Sequence, residues 1–301
     1  MNIEILKGDC IESLKKLEDQ SINTCITSPP YWGLRNYNDE SKQLGMEDTP
    51  EEFVENLVNV FREVKRVLRD DGTVWLNLGD SYSSGGRTTT TNQSLRGDKD
   101  YGVTRPKPSK GIKPKDLIGI PWRVAFALQQ DGWYLRQDII WHKPNPMPES
   151  VKDRCTKAHE YIFLLSKNVK YYFDNEAIKE DAKYPNGPNS PHKIKAVDNV
   201  YSANLQKIGA NPKKNKRSVW TITTKPFKGA HFATFPKDLI EPCVLAGCPE
   251  GGTVLDPFGG SGTTGIVAAQ HKRNAVLLEL NQEYIDLAKD RIKQEVKNEM
   301  F

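Results

Sequence analysis

Val254-Leu255-Asp256-Pro257-Phe258-Gly259-Gly260-Ser261-Gly262-Thr263-Thr264-Gly265 reads as a strand, a glycine turn and the start of a helix. Gly260, Gly262 and Gly265 satisfy G-x-G-x-x-G, and Glu279 lies 19 residues past Gly260, at the end of the next apolar run, Ala275 to Leu278. Glycines there let the backbone approach a ligand, and an acid at that place can hold ribose hydroxyls. No Lys-Ser/Thr follows, which disfavours a phosphate-gripping P-loop. Asp256 before the loop and Glu279 after it make this a nucleoside-binding reading. Two ligands compete for it, a nicotinamide dinucleotide and S-adenosylmethionine.

The position of the loop bears on the fold. Only 36 residues follow Gly265, room for one helix, one strand and a last helix. The other strands must come from the N-terminal side. The sheet is therefore expected to be circularly permuted, with the strand Asn2 to Leu6, before Gly8-Asp9, lying beside the strand that ends at Glu279. Asp9 then sits at the carboxyl end of its strand, near the adenine of the same ligand.

Outward from the loop, strands alternate with helices. A helix is expected over Ile11 to Leu17 and a strand over Ile22 to Thr27. Thr49-Pro50-Glu51-Glu52 carries an N-cap, a proline at the first helical position and acids in the first turn. Phe53, Leu57, Val60, Phe61, Val64 and Leu68 recur at helical spacing, and Asp71-Gly72 is expected to end that helix before a strand over Thr73 to Leu78. Further on, the reading gives a helix over Asp116 to Gln130, a strand over Trp133 to His142 and a hairpin of Glu160 to Ser166 with Lys170 to Phe173. Pro236 to Gly247, Thr264 to His271 and Gln282 to Val296 read as helices. The fold class is α/β, a doubly wound, mostly parallel sheet with a Rossmann-like order.

The second decisive stretch is Thr27-Ser28-Pro29-Pro30-Tyr31-Trp32, after the apolar run Ile22 to Ile26. Two prolines cannot continue a strand, because neither offers an N–H and each fixes φ near −65°. The chain leaves the sheet as a stiff turn that presents a hydroxyl, proline carbonyls and a large aromatic face. Those groups suit a planar heterocycle bearing an amino group, so the chain is a candidate enzyme acting on a nucleobase.

Net charge is +4, unevenly placed: residues 87–115 carry +6, residues 179–228 carry +8, and the rest about −10. Two basic segments on a mildly acidic body fit a polyanion. The five cysteines form no C-x-x-C pair, so no metal site is expected and a reducing compartment fits. The sequence holds no signal-peptide pattern and no apolar run near 20 residues, which suggests a cytoplasmic protein.

Taken together, the chain resembles the β-class amino methyltransferases of DNA. These carry S/D-P-P-Y/F toward the N-terminus and F-x-G-x-G near the C-terminus, here Ser28-Pro29-Pro30-Tyr31 and Phe258-Gly259-Gly260-Ser261-Gly262. The order also matches: catalytic tetrapeptide, target-recognition region, cofactor loop. The resemblance implies S-adenosylmethionine as cofactor. Asp256, Phe258, Gly260 and Gly262 would line its methionine part, Glu279 its ribose, and Asp9 with Cys10 its adenine. Phe232 and Pro236, in a segment that closes over the cofactor, would complete the site. Ser28, Pro29, Pro30 and Tyr31 would be catalytic, acting on a base taken out of duplex DNA.

In that family, members with Asp first in the tetrapeptide mostly methylate adenine N6, and those with Ser tend to methylate cytosine N4. Ser28 thus points to N4-cytosine, with N6-adenine the alternative. A nicotinamide-dependent oxidoreductase is a more distant one, and a non-catalytic nucleic-acid binder a third. Pro242-Cys243 falls within an expected helix, so a covalent 5-carbon mechanism is rejected. The expected organisation is a catalytic half over residues 1–174 with a basic loop at 81–115, a recognition insert at 175–230, and a cofactor half at 231–301. Double-stranded DNA would meet the basic segments 87–115 and 179–228. No nuclease-type motif stands out, so a restriction endonuclease partner would be a separate chain.

Overall fold

A computed structural model describes residues 1–33, 44–83, 112–182, 213–224 and 235–297. The chain forms β1 (Ile3–Lys7), α1 (Cys10–Leu14), β2 (Ile22–Thr27), α2 (Pro50–Val67), β3 (Leu68–Leu78), α3 (Ile120–Gln130), β4 (Tyr134–His142) and β5 (His159–Ser166). A short 3-10 turn, Glu176–Ile178, precedes a small antiparallel pair of β6 (Glu180–Asp181) and β7 (Lys213–Lys214). Then come β8 (Val219–Thr221), α4 (Lys237–Gly247), β9 (Thr253–Asp256), α5 (Thr263–Gln270), β10 (Asn274–Glu279) and α6 (Gln282–Lys297).

Eight strands make one sheet in the order β1-β10-β9-β2-β3-β5-β4-β8. Only β5 runs against the others, being antiparallel to both β3 and β4. The expected permutation is present. β1 pairs in parallel with β10, Lys7 opposite Glu279, and β2 pairs with β9, so β9 and β10 stand between the first two strands.

Helices cover both faces. α1, α2 and α3 pack on one side, with Leu14, Phe53, Phe61 and Val124 meeting Val74, Leu76, Phe163 and Leu165. α4, α5 and α6 pack on the other, with Leu239, Val244, Val267 and Ile292 meeting Trp75, Ile162 and Leu164. Alternate residues of β3 and β5 thus enter opposite cores, as strands buried on both faces must.

Local signals explain where elements begin and end. Thr49 caps α2 through a full capping box with Glu52, behind Pro50 in the first turn. That helix ends at Val67 and β3 starts at Leu68, ahead of Asp71-Gly72, because Leu68 pairs with Ile22 across a bulge. α3 starts at Ile120 rather than Asp116. Gly119 adopts φ +77° as its N-cap, and Asp80 Oδ1 accepts from the N–H groups of Gly119 and Ile120 at 3.0 and 3.2 Å. Lys170 to Phe173 is not a strand; β5 finds its partners in β3 and β4 instead, and Tyr172 makes one backbone bond to Asp71. Val219–Thr221, placed by the sequence reading in a separate insert, adds to the main sheet as its edge strand beside β4.

Candidate active site

Four chain segments leave the carboxyl ends of four adjacent strands, β1, β10, β9 and β2, at one edge of the sheet. They carry Asp9, Glu279, the glycine loop and the Ser28 turn, which is where open α/β sheets bind ligands. Asp256 ties two of them together. Its buried carboxylate accepts from Thr27 Oγ1 and Thr264 Oγ1, both at 2.6 Å, and from the Phe258 N–H at 3.1 Å. The residue before Ser28, the loop and the first turn of α5 are therefore held by one group. Burial pushes the Asp256 carboxyl up from its ordinary value, against the lowering effect of its three donors.

The sequence reading set Asp256 against the methionine part of the ligand. In the structure its oxygens accept from protein donors and it is 2% exposed, and through those bonds it shapes the loop. Gly260 and Gly262 have φ +49° and +79°, values that a side chain would strain. A Cβ on Gly262 would also meet Ala288 Cβ at 3.0 Å, so α6 packs directly against the loop. From α6, Arg291 Nη1 donates to the Ser261 carbonyl, Ser261 Oγ and Thr263 Oγ1 at 2.7, 2.8 and 3.1 Å. Arg291 has no sequence signal beyond a helical position, and the motif reading missed it.

Glu279 accepts the Gly260 N–H on one carboxylate oxygen and the Asn281 N–H on the other, each at 2.9 Å. With the Leu280 N–H as a third backbone donor, the carboxylate still has acceptor capacity left for a hydroxyl. Desolvation raises its carboxyl above the usual value, and the backbone donors counter this in part. Asp9 caps α1, with Oδ1 accepting from Ile11 and Glu12 N–H groups at 3.0 and 3.1 Å. Beside it, burial and the Asp9 charge push the Cys10 thiol up to about 12, so it stays a neutral wall. Phe258 is half-buried against the α1–α3 core. Pro236 is buried at the start of α4, its carbonyl accepting from Leu239 N–H. Phe232 lies outside the described residues.

The Ser28 turn opens on a polar cluster that the sequence did not reveal. Ser28 Oγ donates to Asn77 Oδ1 at 3.2 Å, and the Tyr31 hydroxyl donates to Glu160 Oε2 at 2.8 Å with Asn77 Oδ1 3.4 Å away. Asn77 Nδ2 donates to Glu160 Oε2 and the Tyr161 carbonyl at 3.3 and 3.1 Å. Lys143 pairs with Glu160 and lies 4.2 Å from the centre of the Trp141 ring. Asn77 comes from the end of β3, Glu160 from the start of β5 and Lys143 from just after β4, so three further strand ends converge here. Gly79 supplies the floor: a Cβ on it would stand 2.6 Å from Tyr31 Cε2. Pro29 is buried and Pro30 half-buried beneath.

Trp32 packs, its indole donating to the Glu47 carbonyl at 2.9 Å, and His142 bonds Thr221 Oγ1 at 3.1 Å across β4 and β8. Cys243 is buried inside α4, where desolvation raises its thiol well above the ordinary value, in keeping with rejection of a covalent cysteine mechanism. The basic segments 87–115 and 179–228 lie mostly outside the described residues. Of the described part, Lys213 pairs with Asp181, and Lys214, Lys216 and Arg217 surround Glu180. No helix among the described residues is long and apolar enough to cross a membrane.

Comparison with known proteins gives the family and the fold. Residues 22–290 match the DNA methylase family of the N6/N4 type. The chain is 51% identical over 292 residues to the Type II methyltransferase M.SmaI of Serratia marcescens, covering 96% of this chain and 90% of that one. It is 47% identical over 294 residues to M.Cfr9I of Citrobacter freundii, covering 98% and 89%. Among solved structures, the cytosine-N4-specific PvuII DNA methyltransferase aligns with a TM-score of 0.65 at 19% identity, over 99% of this chain and 92% of that one. A DNA modification methylase homologue from Thermus thermophilus, TTHA0409, complexed with S-adenosyl-L-methionine, aligns with a TM-score of 0.63 at 24% identity, over 98% and 94%.

Proposed function

The chain belongs to the N6/N4 DNA methylase family, and we propose that it methylates the exocyclic N4 of a flipped cytosine in double-stranded DNA, as the modification half of a type II restriction–modification pair. The observation that carries this is the convergence of the Ser28 turn and the glycine loop at adjacent strand ends, locked by Asp256. S-adenosylmethionine, when bound, supplies a methyl group already activated by its sulfonium. The residues fit it: Glu279 keeps acceptor capacity for a ribose hydroxyl, Asp9 and Cys10 lie at the neighbouring strand end, and the loop between Asp256 and Gly262 offers backbone rather than side chains.

The chain's own task is to position a weak nucleophile. An exocyclic amine has its lone pair delocalised into the ring. Hydrogen bonds from it to Ser28 Oγ and to the Pro29 carbonyl favour a pyramidal, more nucleophilic nitrogen. Among the described residues no backbone N–H is bonded to that Pro29 carbonyl. Tyr31 supplies a face for the extruded base, offsetting the few kcal/mol that unstacking costs. By the family resemblance Phe232 and Pro236 would close the cofactor side, and the charge of the basic segments 87–115 and 179–228 suits DNA phosphates. Residues 1–174 and 231–301 then form one catalytic domain, and 175–230 the recognition region, tied to the main sheet through β8. Choice of cytosine rests on Ser28, since the family members with serine at this place tend to act on cytosine. A cognate endonuclease would be a separate protein.

Incubation of the purified protein with labelled methyl donor and DNA, followed by digestion to nucleosides, tests this reading. N4-methylcytosine is the expected product. N6-methyladenine would replace cytosine by adenine and leave the site assignments in place, whereas unlabelled DNA would refute the reaction.

A further inference from the structure

The proton of the Ser28 hydroxyl has a fixed direction. Asn77 Nδ2 faces two acceptors, the Tyr161 carbonyl and the Lys143-paired Glu160 carboxylate, at 3.1 and 3.3 Å. The opposite amide orientation would set an oxygen against both, so the network assigns Nδ2 to that side and Oδ1 to Ser28. Ser28 Oγ has one proton, and Asn77 Oδ1 takes it at 3.2 Å. What Ser28 leaves toward the carboxyl-end edge of the sheet is lone pairs only.

We infer that Asn77 is a positioning residue that makes Ser28 an obligate acceptor, so that the site selects an exocyclic amine over an oxo group at the same place on the base. A free hydroxyl could donate as readily as accept and would tolerate either. The inference rests on the proposed transfer to an exocyclic amine, but it holds equally for cytosine N4 and adenine N6. The bases it disfavours are their oxo counterparts, uracil and hypoxanthine. It also gives Glu160 and Lys143 a part, since they hold the Asn77 amide in its working orientation.

The test begins with the wild-type enzyme, whose methylated position is mapped on a duplex. The target base is then replaced by its oxo counterpart, and affinities for both duplexes are measured with S-adenosylhomocysteine present. Comparing variants cancels the pairing cost of the replaced base. In Asn77→Leu the Ser28 proton is free to turn, and the amino-over-oxo affinity ratio should fall at least about tenfold from wild type. Asn77→Asp, measured at a pH low enough for it to carry the proton that faces Tyr161 and Glu160 in place of Nδ2, keeps an oxygen in front of Ser28 and should hold the ratio within about threefold, whatever its turnover. Ser28→Ala should lower the ratio as far as Asn77→Leu, and the double variant no further. Retained S-adenosylhomocysteine binding reports folding, and Asn77→Ala carries the same expectation where Asn77→Leu does not fold. An unchanged ratio in Asn77→Leu, or equal loss in the Asp and Leu variants, overturns the inference. A wild-type enzyme that labels neither base overturns the proposed function instead.

Discussion

Thr27 Oγ1 donates to Asp256 Oδ1 at 2.6 Å, joining the last residue of β2 to the last residue of β9 in the middle of the sheet. The two residues are 229 positions apart in sequence, yet their bond sets the turn that carries Ser28 beside the glycine loop. Thr27→Val keeps the shape and removes the donor. Losing a hydrogen bond to a buried carboxylate should cost about 1.5–3 kcal/mol of stability, read by urea denaturation. Turnover and cofactor affinity should fall together, since both sides of the site lean on that bond.

The same pair gives a pH dependence with a definite sign. Burial raises the Asp256 carboxyl in the folded protein above its ordinary value of 3.8. The folded state therefore holds this proton to higher pH than the unfolded chain does. The associated stability is complete below the ordinary value and is lost as pH rises to the folded one. Asp256→Asn should remove that slope, whereas Thr27→Val, by deleting a donor to the charged form, should extend it to higher pH. Denaturation midpoints across the acid range distinguish the two.

Glu279 behaves in the opposite sense toward its ligand. Its carboxyl is also raised by burial, and a ribose hydroxyl would donate to the ionised form. Affinity for S-adenosylmethionine should rise with pH through the folded value and then level off. Glu279→Gln should bind about tenfold more weakly, as loss of one charge-assisted hydrogen bond implies, and without that pH step. Calorimetric titration at several pH values reads both effects.

Gly79→Ala tests the floor under Tyr31. The added Cβ would stand 2.6 Å from Tyr31 Cε2 and 3.3 Å from Glu160 Cδ, so the ring or the carboxylate must move. Methyl transfer should drop by about two orders of magnitude, comparable to loss of a base-stacking ring worth about 1–3 kcal/mol. Cofactor affinity should stay near wild type, because the atoms nearest that Cβ belong to Tyr31 and Glu160. A matching loss of cofactor binding would show that the effect is not local.

Four basic side chains near β7 offer a check on the DNA-facing reading. Lys213, Lys214, Lys216 and Arg217 share Glu180 and Asp181 as partners, which leaves two net positive charges. Replacing all four by glutamine should flatten the dependence of log affinity on log salt by about two phosphate contacts rather than four, at about 0.9 per contact. Binding measured from low to moderate salt gives the slope directly.

What the sequence disclosed was local or motif-like. Gly260, Gly262 and Glu279 lie within 20 residues, and the permuted strand order expected from the order of the motifs is the one the sheet adopts. The register of Lys7 opposite Glu279 follows from that order. What it hid depends on long-range packing. Asn77 and Glu160 are 83 residues apart, and each alone is an ordinary polar residue at a strand end. The start of α3 was misread because its capping acceptor, Asp80, lies some 40 residues upstream. Lys170 to Phe173 has strand-like composition, but β4 already occupies the place beside β5.

The interposition of β9 and β10 between β1 and β2 has a consequence for the chain during its synthesis. β1 and β2 are close in sequence, yet they do not pair: β2 finds an early partner in β3, while the partner of β1, β10, and the second partner of β2, β9, come some 230–270 residues later. Such distant pairings are slow to form. Until residues 253–279 have been translated, β1 has no neighbour and β2 lacks its second one, so the ends that carry Asp9, the glycine loop and Glu279 are not yet assembled beside the Ser28 turn. A chain cut short before Thr253 would lose both strands that join β1 to the rest of the sheet, together with the glycine loop. Premature termination would then yield an inert fragment, not an enzyme with altered target choice.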